Sequence, residues 1–160
     1  MHGGMSMPNG VEDLLSEARS YLHRLTPQAA AAALACGAIL VDIRPLEQRR
    51  AQGDVPGAAI VGRNVLERRF DAGPHRIPEA TLRRTVIVFC DQGHASSLAA
   101  RSLQLLGWPH ATDMVGGFEA WAAAGLPVRE CTGPSPEEAA VVMSSSAGRS
   151  TGEEALDQAG

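Results

Sequence analysis

Residues 90–97 read CDQGHASS and follow directly on TVIVF. A thiol leaves the end of an apolar, β-branched run, crosses a compact polar turn containing Gly93, and enters a segment with helical spacing. That order suits nucleophilic sulfur chemistry. Gly93 tolerates positive φ, and a short turn that feeds a helix directs successive backbone N–H groups inward as an anion-binding nest. The helix behind it, expected to begin near Ser96, adds roughly half a positive charge at its N-terminus. Such a cradle is expected to stabilise the thiolate of Cys90, the nucleophilic form. Asp91 opposes this unless its carboxylate points away. The loop itself holds no arginine or lysine. The plain alternative is that Cys90 is a small buried hydrophobe ending a strand, as free cysteines commonly are.

The elements that must position this turn are legible around it. Val11, Leu14, Leu15, Ala18 and Leu22 recur at helical spacing over 11–22. Thr26-Pro27 caps and opens an alanine-rich helix closed by Gly37. AILVDIR (38–44) and TVIVFC (85–90) are continuous apolar runs that predict strands buried on both faces. A short helix follows Pro45, a brief strand lies in VPGAAIVGRN, and residues 64–80 are irregular with one helical turn. SSLAARSLQLLG (96–107) predicts a helix. HATDMVGG predicts a short strand, and FEAWAAAG a short helix. Strands alternating with helices predict a parallel sheet covered on both faces. Ligands of such sheets bind beyond the carboxyl ends of the strands. Arg44, Arg63, Cys90 and Gly116-Gly117 should therefore meet on one edge.

The whole chain of 160 residues suits one domain. All 14 basic residues are arginine, and the formal net charge is −4. The imbalance sits at the end: residues 132–160 hold Glu137, Glu138, Glu153, Glu154 and Asp157 against Arg149 alone. A neutral body without basic–aromatic interleaving argues against a nucleic-acid partner. No stretch is long and apolar enough to span a membrane. The beginning shows no apolar signal region, and Cys36, Cys90 and Cys131 form no disulfide framework. A cytoplasmic location is expected. Residues 1–10 are expected to be disordered, 11–131 to form a single domain that includes the helix at 11–22, and 132–160 to be a disordered acidic tail.

Four segments taken in order, LVDIR (40–44), GDVPGAAIV (53–61), VIVFCDQGHASSLAARSLQLLG (86–107) and MVGGFEAWAAAGLPV (114–128), resemble a single-domain rhodanese over about residues 25–130. The resemblance implies a rhodanese-like three-layer α/β fold, a small five-stranded parallel sheet flanked by helices. It implies sulfur transfer from thiosulfate or a related persulfide or polysulfide donor, with Cys90 as the persulfide-forming nucleophile. Asp91, Gln92, Gly93, His94, Ala95 and Ser96 would form the substrate-binding loop, with Arg44 beside it. No metal and no organic cofactor is implied. The expected partners are a small anionic sulfur donor and a thiol or cyanide-like acceptor. The family commonly ends this loop with arginine; here that position is Ala95, which puts specificity for thiosulfate in question. Cysteine phosphatases of related fold place arginine six positions after the cysteine, where this chain has Ser96.

Around that reading the remaining residues sort by chemistry. His94 is either an exposed loop histidine or a donor to the bound anion. Arg44 is either an anion contact or a scaffold residue paired with Glu47 or Asp42. Arg63 is expected to be solvated, Cys36 to pack, and Trp108 and Trp121 to seat helices on the sheet. Cys131 is a candidate second thiol. Two alternatives to the sulfurtransferase stand: a non-catalytic rhodanese-fold module that binds a partner or senses sulfide, favoured by Ala95, and a redox or arsenate-type thiol enzyme dependent on Cys131.

Overall fold

The computed structural model describes residues 9–77, 80–81 and 83–140. The elements, in order, are α1 (Val11–Ser20), α2 (Pro27–Ala35), β1 (Ile39–Asp42), α3 (Leu46–Gln52), β2 (Ala59–Ile60), a 3-10 turn (Arg63–Val65), α4 (Leu66–Phe70), β3 (Val86–Phe89), α5 (Ala95–Leu106), β4 (Ala111–Asp113) and α6 (Gly117–Ala123). The strands form one parallel sheet in the order β2-β1-β3-β4. The chain leaves β1 toward one edge and returns on its other side at β3, so the topological switch lies between the ends of β1 and β3. That is where an open α/β sheet takes its ligand, and where Asp42, Arg44 and Cys90 sit.

Each strand supplies side chains alternately to two cores. Ile39, Val41, Val86, Val88 and Cys90 face a cluster with Leu22, Phe70, Ala99, Ala100 and Leu103. Leu40, Ile87 and Phe89 face the other, with Ala30, Phe118 and Trp121. This is why the central strands read as unbroken apolar runs. The parity also turns Cys90 toward the α5 side. Trp108 seals that core edge-on against Phe70 at 5.2 Å and donates its indole N–H to the Phe70 carbonyl.

Four strands are present among the described residues, where the resemblance implied five. The missing edge is reduced to one residue: Leu25 pairs in parallel with Met114. Its N–H donates to the Asp113 carbonyl, and its own carbonyl accepts from the Val115 N–H. Pro27, with no N–H and φ set for a helix, ends the extended run two residues later. The chain continues over the body to Ala140: Asp54 bridges Arg129, and Glu138 and Glu137 pair with Arg49 and Arg69. Residues 1–8 and 141–160 of the two expected disordered ends lie outside the described residues. Cys36, expected to pack, is exposed at the end of α2.

Candidate active site

Cys90 is the first residue after β3 and is 9% exposed. Its Sγ accepts from two backbone N–H groups, Gly93 at 3.2 Å and Ser96 at 3.4 Å. The turn closes around the sulfur because Gly93 adopts φ +90°. The helix α5 begins at Ala95, one residue earlier than its serines suggest, with His94 as the unassisted cap. Ser96 and Ser97 do not cap it. Both hydroxyls point inward and reach Asp113 Oδ2, at 2.9 and 2.8 Å.

The outward side of the turn explains the inward one. In a trans peptide the C=O and the following N–H point in opposite directions. The Cys90 and Asp91 carbonyls accept from Phe118 and Glu119 N–H at the start of α6, at 2.8 and 3.0 Å. The Gly93 carbonyl accepts from Arg19 Nη2 and Arg24 Nη2 at 2.9 and 3.1 Å. With these oxygens anchored outside, the Gln92 and His94 N–H groups on the same peptide planes face the other way. Neither they nor the Ala95 N–H have an acceptor among the described residues. They are the donors left for an anion. Gly117 permits the α6 contact, since a Cβ there would collide with the Cys90 and Asp91 carbonyls.

A cavity of about 450 Å³ opens over this turn, lined by Ile43, Pro45, Gln48, Cys90, His94 and Ala95 among others. His94 and Ala95 stand exposed at its rim. Gln92 turns to Glu119, 3.3 Å away. Arg63 reaches the rim but pairs with Glu67 on the surface. Burial alone would raise the Glu67 carboxyl; the hydrogen bonds it accepts, from Ser102 and Arg63 among others, more than offset this and lower it from 4.5.

Arg44, expected beside the substrate, is in the cavity wall but committed elsewhere. Of the five guanidinium N–H donors, Nε and Nη2 reach Asp42, Nη2 also reaches the Gly53 carbonyl, and Nη1 reaches Gln52 Oε1. The group lies 4.1 Å from the Phe118 ring centroid and is 1% exposed. Desolvation raises the Asp42 carboxyl above 3.8 even against this partner. The pair is a buried brace, whose attraction mostly repays its own desolvation.

Two features lay beyond the sequence reading. Gln52 donates its Nε2 to Asp91 Oδ1 at 2.7 Å while accepting from Arg44. Asp91 is thereby tied into a chain running back to β1. Arg19 and Arg24 act across 74 and 69 residues, a separation no local pattern signals. Cys131 is not among the residues lining the cavity over Cys90. Its Sγ lies 3.6 Å from Arg49 Nη1, within the contacts of the C-terminal segment.

The sequence matches the rhodanese-like domain over residues 26–124. It is 34% identical over 98 residues to the thiosulfate sulfurtransferase GlpE of Stutzerimonas stutzeri, covering 61% of this chain and 83% of that one. It is 34% identical over 85 residues to the adenylyltransferase and sulfurtransferase UBA4 of Candida albicans, covering 52% of this chain but 19% of that protein. Among solved structures, a protein of unknown function from Rhodopseudomonas palustris, described as a possible tyrosine phosphatase, aligns with a TM-score of 0.70 at 30% identity. That alignment covers 78% of this chain and 98% of the other. A family match over most of the chain, centred on a cysteine cradled between strand and helix, places this protein in the rhodanese-like family.

Proposed function

We propose that this protein is a sulfurtransferase that carries sulfur as a persulfide on Cys90. The supporting observation is the sulfur atom itself, held between the Gly93 and Ser96 N–H groups with further amides unclaimed around it. In the first step the Cys90 thiolate attacks the terminal sulfane sulfur of thiosulfate or of an organic persulfide. The donor's S–S bond breaks, and sulfite or a thiolate leaves with the bonding pair. The amides that faced the thiolate now face the terminal sulfur of the persulfide, which carries the same single negative charge. In the second step a thiolate or cyanide attacks that terminal sulfur, and Cys90 departs as a thiolate again. The cradle thus serves an anion at every stage.

The relative described as a possible tyrosine phosphatase favours a second reading, phosphate-ester hydrolysis by the same cysteine. The loop chemistry weighs against it. Phosphoryl transfer needs positive groups around the equatorial oxygens, and position 96 holds a serine bonded to Asp113. Intact mass after incubation with thiosulfate, and separately with an organic persulfide, should show one added sulfur that is absent in Cys90→Ser. No adduct with either donor, or one that survives the substitution, overturns the proposal. Turnover of an aryl phosphate at a rate above sulfur loading would establish the second reading instead.

A further inference from the structure

We propose that Arg19 and Arg24, which precede the family-matched residues 26–124, supply the positive charge that the loop's own side chains lack. They are positioning residues: they hold the cradle in shape and raise its attraction for anions from behind. This rests on reading Cys90 as the sulfur-transfer nucleophile, though its test does not depend on turnover.

The geometry is specific. Arg19 donates Nε to Ser97 Oγ at 2.9 Å and Nη2 to the Gly93 carbonyl at 2.9 Å. Arg24 donates Nε to Asp113 Oδ1 at 2.8 Å and Nη2 to both Asp113 Oδ2 and the Gly93 carbonyl, each at 3.1 Å. Ser97 has one hydroxyl proton. The Ser97 Oγ lies nearer Asp113 Oδ2, at 2.8 Å, than the Gly93 carbonyl, at 3.2 Å. When that proton serves Asp113, the Gly93 oxygen rests on the two guanidinium groups. Polarised this way, the peptide between Gly93 and His94 presents a stronger N–H dipole on its cradle side.

The charges also decide the sign. Asp113 is fully buried and close to the start of α5. Alone it would oppose an anion in the cradle. Arg24 neutralises it in a two-pronged pair, whereas Arg19 has no carboxylate partner among the described residues. Arg19, Arg24 and Asp113 together therefore leave one net positive charge behind the Gly93 carbonyl, while the loop's own Asp91 is held by Gln52. Leu15, Ala18 and Leu22 are buried where α1 packs on α5, which sets Arg19 over the turn.

The test is the alkylation of Cys90 in the full chain by iodoacetate, an anion, and by iodoacetamide, its neutral counterpart, read by peptide mass at low salt. In Arg19→Met the ratio of the two rates should fall about three- to tenfold. In Arg19→Lys, which keeps the charge, it should stay within about twofold of the starting protein. Arg19→Gln, close in size and polar, serves as the second neutral variant should Arg19→Met not fold. A ratio unchanged in the neutral variants overturns the proposal, as does an equal fall in Arg19→Lys. A chain that loads no sulfur yet shows the charge-dependent ratio would refute the sulfurtransferase reading and leave this one standing.

Discussion

At Gly93 the backbone holds φ +90°, and a Cβ added there would lie 2.8 Å from the Gly116 nitrogen. Both the left-handed conformation and the close approach exclude a side chain. Gly93→Ala should cost about 1–3 kcal/mol of stability, measured by urea unfolding. It should also slow sulfur loading of Cys90 about tenfold or more, because the N–H at this position is one of two that reach the sulfur. Loading at the original rate would show that the turn's shape does not govern the reaction. The cysteine and its turn were legible in the sequence because their chemistry is local: a strand end, a glycine, a helix start. For Arg44 the scaffold pairing with Asp42 was one of two readings open in the sequence; the fate of Asp91 was not legible, since it is decided by Gln52, which shows no motif of its own.

Among elements, the central strands announce themselves because both faces are buried, so every position selects an apolar side chain. The edges are fainter. The strand β2 has only two residues, and the fifth strand implied by the family survives as the single bridge at Leu25. The start of α5 reads one residue late because Ser96 and Ser97 look like caps, yet their hydroxyls serve Asp113. Within this framework α3 communicates with the active loop through one amide. Gln52→Ala should release the Asp91 carboxylate at a stability cost of about 1 kcal/mol. Freed to approach the sulfur, that negative charge should reduce loading by thiosulfate about three- to tenfold. Parallel unfolding and loading measurements check both halves, and a large stability loss with unchanged loading would reassign Gln52 to the scaffold.

Across the whole molecule, the segment from 129 to 140 is fastened to the body by charge. Burial alone would raise the Asp54 carboxyl, but the Thr132 N–H and hydroxyl and the Arg49 guanidinium more than offset it and lower it from 3.8. Burial likewise opposes the charge on Arg49, but the hydrogen bond to Asp54 and the surrounding negative groups outweigh it and hold the guanidinium more firmly charged than usual. A carboxyl lowered on folding contributes stability above its unfolded value and loses it as pH falls through the folded one. The fastening should therefore weaken as pH drops below about 4. At neutral pH, Asp54→Asn should be about 3 kcal/mol less stable, since it leaves Arg49 buried without its main partner. The gap between the two proteins should close on acidification, as followed by urea midpoints at a series of pH values. A gap independent of pH would mean that Asp54 contributes by shape rather than charge.

The anchors of the cradle's carbonyls come from two distant parts of the chain: α6 for residues 90 and 91, and Arg19 and Arg24 for residue 93. The limits of the family likeness are thus narrower than the limits of the working unit. A fragment trimmed to residues 26–124 would retain the cysteine, the glycine and every amide of the turn. It would surrender both guanidinium groups and leave the Gly93 oxygen to one serine hydroxyl. Comparisons of reactivity among such trimmed domains would then measure where the cuts were made as much as what the loops contain.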